Sequence, residues 1–262
     1  MCEHRCDSPC HCPAPLQHMK GVWDEHVAGT CMRGAWAGGR LECKNYTAVL
    51  PSVELLAPTM DSDAIMRYLE AAIRTAYKSE DRTGPGTCDR LLRHILASKH
   101  ESTLEHFAMG FRVITSRGVS HELVRHRVGH SFTQESTRYV NYGKGKPEVI
   151  LPWHLGQRSI EQQEFWLNSH VKLIDCYLTA VDNGWPPQDA RGFLPNDMKT
   201  ELVWTMNIRS ARNMLQLRTP KAAHPDMQVV AREILRLWFQ KLPVLFQDIE
   251  AEVVAGLANY KL

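Results

Sequence analysis

Between Val53 and Pro243 the apolar residues switch between two periods, and that switching restricts the chain to a fold mixing helices with strands. Ser62 can cap a helix, and Ile65, Leu69, Ala72, Ile73 and Ala76 follow it at helical spacing, which predicts a helix with one buried face. Gly84-Pro85-Gly86 is a turn, after which Leu91, Leu92, Ile95 and Leu96 predict a second helix. Phe107, Met109, Phe111 and Val113 then alternate with other residues through Thr115, the repeat of a strand. A short helix is expected around Val119 to Val124. Leu167, Val171, Ile174, Leu178 and Val181 mark a long amphipathic helix, ended by Asn183-Gly184 and kept from continuing by Trp185-Pro186-Pro187. Val53 to Leu56 and Leu202 to Met206 read as strands, and Val229 to Leu242 as a final helix stopped by Pro243. Strands among long helices, with no internal repeat and no regular βαβ alternation, indicate a mixed α/β fold of the α+β kind.

Residues 1–51 follow neither period. Cys2, Cys6, Cys10 and Cys12, with His4 and His11 between them, do not form the paired spacing of a zinc site. That stretch is expected to be a loosely ordered extension without metal, and residues 52–262 to be one domain. A chain starting near Ser52 should then fold. Hydrophobic residues at 44% and charged residues at 23% suit a globular chain and exclude a disordered one. No apolar run is long enough for a membrane helix, and the N-terminus lacks the apolar segment of a signal peptide. Beyond residue 44 the only cysteines are Cys88 and Cys176, too sparse for a disulfide-stapled secreted domain. The expected compartment is cytoplasmic.

The formal charge of +2 hides two arginine-rich stretches, Arg117 to Arg138 and Arg191 to Arg218, of the kind that favour an anionic ligand. The richest segment runs from Glu122 through Arg125-His126-Arg127 to Gln134-Glu135-Ser136-Thr137-Arg138-Tyr139. If Arg125 to Arg127 is extended, both guanidinium groups project to one side and His126 to the other, an anion clamp beside a ring. Taken alone, an Arg-His-Arg tripeptide is more often a solvated basic loop.

In context, Arg-His-Arg followed by Ser136-x-Arg138-Tyr139 resembles the signature of the flavin-dependent thymidylate synthases. Eight residues, Val128 to Glu135, separate Arg127 from Ser136, one more than that family usually has. His100-Glu101-Ser102-Thr103-Leu104-Glu105-His106 is similar to a second family segment. Asn207-Ile-Arg209-Ser210-Ala-Arg-Asn213, reaching on to Arg218, is similar to a third, and Ala190-Arg191 matches another family arginine. The likeness spans about residues 52 to 245.

It implies a homotetramer whose subunit has a central, mostly antiparallel sheet flanked by long helices, with active sites built at subunit interfaces. It further implies methylation of dUMP to dTMP with 5,10-methylenetetrahydrofolate as carbon donor, and with FAD reduced by NADPH as hydride donor. Carried over by position, Arg125, His126 and Arg127 would contact FAD. Asn207, Arg209 and Asn213 would hold it from another subunit, with Ser102 near it and His100 near flavin and folate. Gln134, Glu135, Ser136, Thr137 and Arg138 would surround dUMP, with Arg138 and Arg191 at its phosphate. Gln134 would also touch the cofactor, and Arg125 the nucleotide. Glu122 stands where the family commonly has Gln and would also meet the nucleotide. Arg218 would approach the uracil and stabilise charge developing on it. Ser136 has no adjacent base to activate it, so it is assigned to binding.

Three other readings fit less well. His121-Glu122-Leu-Val-Arg-His126 nearly copies a zinc-protease helix, but its i, i+5 spacing puts the two rings on different helix faces. A single-strand nucleic-acid binder would interleave more aromatics with the cations than Phe132, Tyr139 and Tyr142. A folate-only thymidylate synthase needs a thiolate, and neither Cys88 nor Cys176 lies in the arginine blocks. Small molecules are the expected partners, with no nucleic acid and no membrane.

Overall fold

The structure is a computed structural model that describes residues 40–57 and 60–258. The first elements are β1 (Arg40–Glu42), β2 (Thr47–Val49) and β3 (Ser52–Ala57), followed by helices α1 (Ser62–Tyr77) and α2 (Thr87–Ser98). Strand β4 (Ala108–Ser116) leads into α3 (Arg117–Leu123), then β5 (His130–Gln134), β6 (Glu148–Ile150) and α4 (Ile160–Asp182). The chain ends with β7 (Lys199–Asn207) and helices α5 (Ile208–Arg218), α6 (Pro225–Lys241) and α7 (Pro243–Ala258).

These elements form two sheets, not the single central sheet expected. The larger has the order β3-β4-β7-β5 with every pairing antiparallel. The smaller has the order β1-β2-β6, in which β2 and β6 run parallel. Alternation along β4 and β7 turns Met109, Phe111, Val113, Leu202, Trp204 and Met206 into the main core, shared with α1, α2, α3, α5, α6 and α7. Trp238 of α6 stacks on Phe246 of α7 at 5.1 Å and lies 6.1 Å from Phe111, centroid to centroid. On the opposite face of the sheet Arg112 bonds Glu201 at 2.9 Å.

Local signals explain where the helices start and stop. Asp61, one residue before the expected Ser62, caps α1 by accepting from Ala64 N at 2.6 Å. Ser159 and Gln162 make a reciprocal capping box on α4, and its stripe Leu167, Ile174 and Tyr177 is buried. Pro243 does end α6, but it also opens α7, because a proline at the first helical position sacrifices no hydrogen bond. Among the described residues no helix is long and apolar enough to cross a membrane.

The domain boundary expected at residue 52 is too late. Residues 40–51 belong to the folded body: Leu41, Tyr46 and Ala48 are fully buried in a second core cluster against α4 and β6. Strands of three residues are too short to display a period, which hid them in the sequence. The cysteine- and histidine-rich stretch before Arg40 lies outside the described residues.

Candidate active site

Three segments meet around a cavity of about 730 Å³: the turn between α3 and β5, one side of α5 from its cap to its last residue, and the short helical turn Glu101–His106. After α3 the chain stays wound, because Arg125 N and His126 N donate to Glu122 O and Leu123 O at 3.3 and 3.1 Å. The expected extended conformation of Arg125–Arg127 is therefore corrected to a turn. Its separation of side chains survives: His126 is half-buried against Trp204, while Arg125 and Arg127 are exposed.

Gly129 allows this turn to rest on the start of α5. Its φ is +72°, and a Cβ there would stand 2.2 Å from Ser210 Oγ and 2.5 Å from Asn207 Nδ2. Asn207 caps α5 by accepting from Ser210 N at 2.8 Å, and Ser210 Oγ donates to Val128 O at 2.8 Å. The positive end of the helix dipole thus opens into the cavity beside two arginines.

The cavity holds five arginines, and their pairing separates them. Arg209 bonds Glu105 at 2.6 Å, Arg212 bonds Asp248 at 2.6 Å, and Arg218 bonds Glu122 at 2.8 Å. Among the described residues, the side chains of Arg125 and Arg127 make no hydrogen bond or ion pair. They are the cavity's uncommitted cations.

Arg218 is held at three nitrogens. Nε donates to His126 Nε2 at 3.0 Å, and the terminal nitrogens donate to Glu122 Oε2 and Glu122 O at 2.8 and 3.4 Å. An arginine carries five N–H groups, so one remains on each terminal nitrogen for a ligand. Arginine can only donate, so His126 Nε2 accepts and the proton of that neutral ring sits on Nδ1. Trp204 Nε1 donates to His130 Nδ1 at 3.0 Å, which leaves the His130 proton on Nε2. Burial, aided by the Arg218 charge, pushes His126 down to about 4; burial, aided by His126, does the same to His130. Both rings are neutral at pH 7, and neither contacted nitrogen is free for a metal.

The cavity therefore gathers Arg125, His126, Arg127, Asn207, Arg209, Asn213 and Arg218. Within the single chain, Asn207, Arg209 and Asn213 line the same cavity as Arg125 and Arg127. His100 and Ser102 do not line the cavity; His100 Nδ1 lies 3.2 Å from Tyr77 OH. Glu122 engages Arg218 through Oε2 and stays partly exposed. Five residues carry the opposite end of β5, about 14 Å along a strand of that length. Gln134 Nε2 donates there to Ser120 Oγ and Thr200 Oγ1 at 2.9 and 3.0 Å. Both Glu135 carboxylate oxygens are occupied, by Tyr142 OH and Glu201 N at 2.7 and 3.2 Å. Ser136 Oγ accepts from Arg138 N at 3.3 Å, and Arg191 donates to Thr137 Oγ1 at 3.3 Å. None of Gln134, Glu135, Ser136, Thr137, Arg138 and Arg191 lines the cavity that holds Arg218.

Sequence reasoning missed His130, Glu101, Glu105 and Ser210 as cavity residues. The i, i+4 spacing of His126 and His130 was a usable signal, and so was Asn207-x-x-Ser210 as a helix cap. Cys88 stands outside the cavity, and burial pushes its thiol up to about 12, unsuited to thiolate attack.

Free cations at a helix start, with neutral rings behind them, suit an anion joined to a planar ring, and the scaffold that carries them is α+β. Comparison with known proteins narrows this. The family model for thymidylate synthase complementing protein matches residues 54–244. The flavin-dependent thymidylate synthase of Geobacter sulfurreducens is 34% identical over 213 residues, covering 78% of this chain and 89% of that protein. That of Corynebacterium efficiens is 32% identical over 233 residues, covering 82% and 90%. The crystal structure of the UMP/dUMP methylase PolB from Streptomyces cacaoi, bound with 5-Br dUMP, is similar with a TM-score of 0.65 and 25% identity, covering 78% of this chain and 96% of that one. The chain belongs to the flavin-dependent thymidylate synthase family, and it is a methyltransferase.

Proposed function

We propose that the protein methylates dUMP to dTMP with FAD bound in the cavity. The observation that carries this reading is the pair Arg125 and Arg127, unpaired beside the capped start of α5 in a cavity where the other three arginines have carboxylate partners. A pyrophosphate offers two such arginines charge-assisted contacts. The Gly129 cradle and the neutral N–H groups of His126 and His130 fit a cofactor with both a polyanion and ring acceptors.

When bound, the flavin supplies a hydride after reduction by NADPH, and 5,10-methylenetetrahydrofolate supplies the carbon. The chain's own residues bind and orient. Arg125 and Arg127 hold the pyrophosphate, with Asn207, Arg209 and Asn213 around it. Arg218 presents its two remaining N–H groups to the uracil and stabilises negative charge there, which raises the nucleophilicity of C5. Gln134, Ser136, Thr137, Arg138 and Arg191 bind dUMP, the two arginines at its phosphate. Because this group does not line the cavity of its own chain, a second copy brings its own group to it. That supports a homotetramer with shared sites, and His100 and Ser102 contribute at the same interface. Cys43, Cys88 and Cys176 are free thiols, in keeping with a cytoplasmic enzyme.

The visible spectrum of the purified protein, followed by dTMP formation from dUMP with NADPH and methylenetetrahydrofolate, tests the reading. Stoichiometric flavin absorbance and turnover are expected, with UMP run in parallel as the competing substrate. A colourless protein that takes up no added FAD, or one that methylates UMP and leaves dUMP unchanged, overturns it.

A further inference from the structure

We infer that Lys78 and Lys99 form a binding place for the carboxylate tail of the folate carbon donor, at the rim of the cavity beside His100. The inference rests on the reading of methylenetetrahydrofolate as that donor. Among the described residues, Lys78 and Lys99 are the two non-glycine residues with left-handed backbone, at φ +47° and +57°. Each closes a helix, Lys78 after α1 and Lys99 after α2. Glycine takes up such a position freely, whereas a residue with a Cβ is strained there. Strain kept at two exposed positions points to a use for the side chains that cause it.

Their neighbours bring the two lysines together. Tyr77 OH lies 3.2 Å from His100 Nδ1, so the ends of α1 and α2 meet, with each lysine one residue from the contact. All four residues are exposed. The turn after Lys78 is fixed from beneath: Arg74, buried and paired with Glu70, donates to Ser79 O and Arg82 O at 3.0 and 2.9 Å. Among the described residues neither lysine side chain makes a hydrogen bond or an ion pair, although Glu80 and Asp81 follow Lys78 closely in the chain. Helix C-termini carry partial negative charge, so without the lysines this place would turn an anion away. His100 is followed directly by Glu101, which lines the cavity. A ligand with a ring at that edge, against Tyr77 and His100, therefore finds two uncommitted cations for an anionic tail. A folate has that shape: a flat pterin at one end, a glutamate at the other, and one more carboxylate with each added γ-glutamyl residue.

The test compares the full-length, flavin-loaded protein with Lys78→Gln/Lys99→Gln, Lys78→Arg/Lys99→Arg and Lys78→Gly/Lys99→Gly. The readouts are KM for methylenetetrahydrofolate carrying one or three glutamyl residues, KM for NADPH, and melting temperature. The unmodified protein should favour the triglutamate about threefold or more, and added salt should shrink that preference, because exposed charge contacts are modest and screened. The glutamine pair should lose the preference and the arginine pair should keep it. The glycine pair should lose it while melting at the same temperature or higher, since the strain leaves with the Cβ. Equal KM values for the two folates in the unmodified protein, or a preference that survives in the glutamine pair, would overturn the inference. A raised KM for NADPH with the folate preference unchanged would assign the lysines to the nicotinamide donor's phosphates and overturn it as well. Failure of the carbon-donor reading looks different: no dTMP forms with either folate, and the inference falls with it.

Discussion

Replacing Gly129 with alanine should damage the cavity more than any other single-methyl change. The left-handed φ of +72° alone costs about 1–2 kcal/mol once a Cβ is present. The Cβ would also stand 2.2 Å from Ser210 Oγ and 2.5 Å from Asn207 Nδ2, so both must move. Moving Ser210 breaks its hydrogen bond to Val128 O, worth about 1 kcal/mol. Moving Asn207 weakens the α5 cap, worth about another 1 kcal/mol. The sum is about 3–4 kcal/mol, or a Tm lowered by roughly 6–15 °C in a chain of this size. Gly184 is the control: its φ is +83° but nothing lies within 4 Å of an added Cβ, so Gly184→Ala should cost only the backbone strain. Flavin affinity should fall about tenfold or more in Gly129→Ala alone, because the Arg125–Arg127 turn lifts off the start of α5 and charge-assisted contacts are directional. Scanning calorimetry and flavin titration of the two variants decide the matter. Equal melting temperatures with full flavin occupancy in both would refute the close-approach argument.

Arg125→Ala/Arg127→Ala should lose bound FAD, since each charge-assisted contact is worth about 1.5–3 kcal/mol; full occupancy by flavin absorbance would sink the clamp. Ser136→Ala should bind dUMP less tightly yet retain turnover at saturation, and a folded, dUMP-saturated variant without turnover would revive serine nucleophilic catalysis. A chain beginning at Ser52 should be less stable than one beginning at Arg40 by several kcal/mol, because it lacks buried Leu41 and Tyr46, each worth about 1.5–3 kcal/mol; equal melting curves would contradict the fold. His126 and His130 both titrate near 4 in the folded protein, below the usual 6.5, so the unfolded chain takes up protons first. Stability is then fully present above about pH 6.5 and declines as pH falls toward 4, by at most about 2 kcal/mol per ring at pH 5. His126→Gln should flatten the fall in Tm between pH 7 and 5, and an unchanged slope would remove the ring from that linkage.

The elements legible in the sequence are those whose burial is periodic over several turns or several strand residues. Ile65, Leu69 and Ile73 announced α1, the alternation Phe107 to Val113 announced β4, and the Leu167 stripe with its Asn183-Gly184 stop announced α4. Side chains along one element share an environment, so their pattern is a local property. The Arg-His-Arg tripeptide and the Asn207 block were legible for a different reason: alone the tripeptide reads as a basic loop, and it stood out only because several separated segments resemble one family in the same order. Strand β5 escaped because Phe132 is its only large aliphatic or aromatic side chain apart from His130, and its hydrogen bonds come from β7, remote in sequence. Strands β1 and β2 escaped because three residues carry no period, and their burial depends on α4 and β6.

Tertiary structure alone decided which arginines are free. Nothing in the order of residues says that Arg218 meets His126 across 92 positions, or that Arg209 and Arg212 are taken by Glu105 and Asp248 while Arg125 and Arg127 are not. An ion pair forms between groups that packing brings within a few ångströms, and packing is set by the whole core. The sequence determined that the chain concentrates cations and rings for an anionic, planar ligand. The fold determined which of those cations lack a carboxylate partner: Arg209, Arg212 and Arg218 each have one, and Arg125 and Arg127 do not.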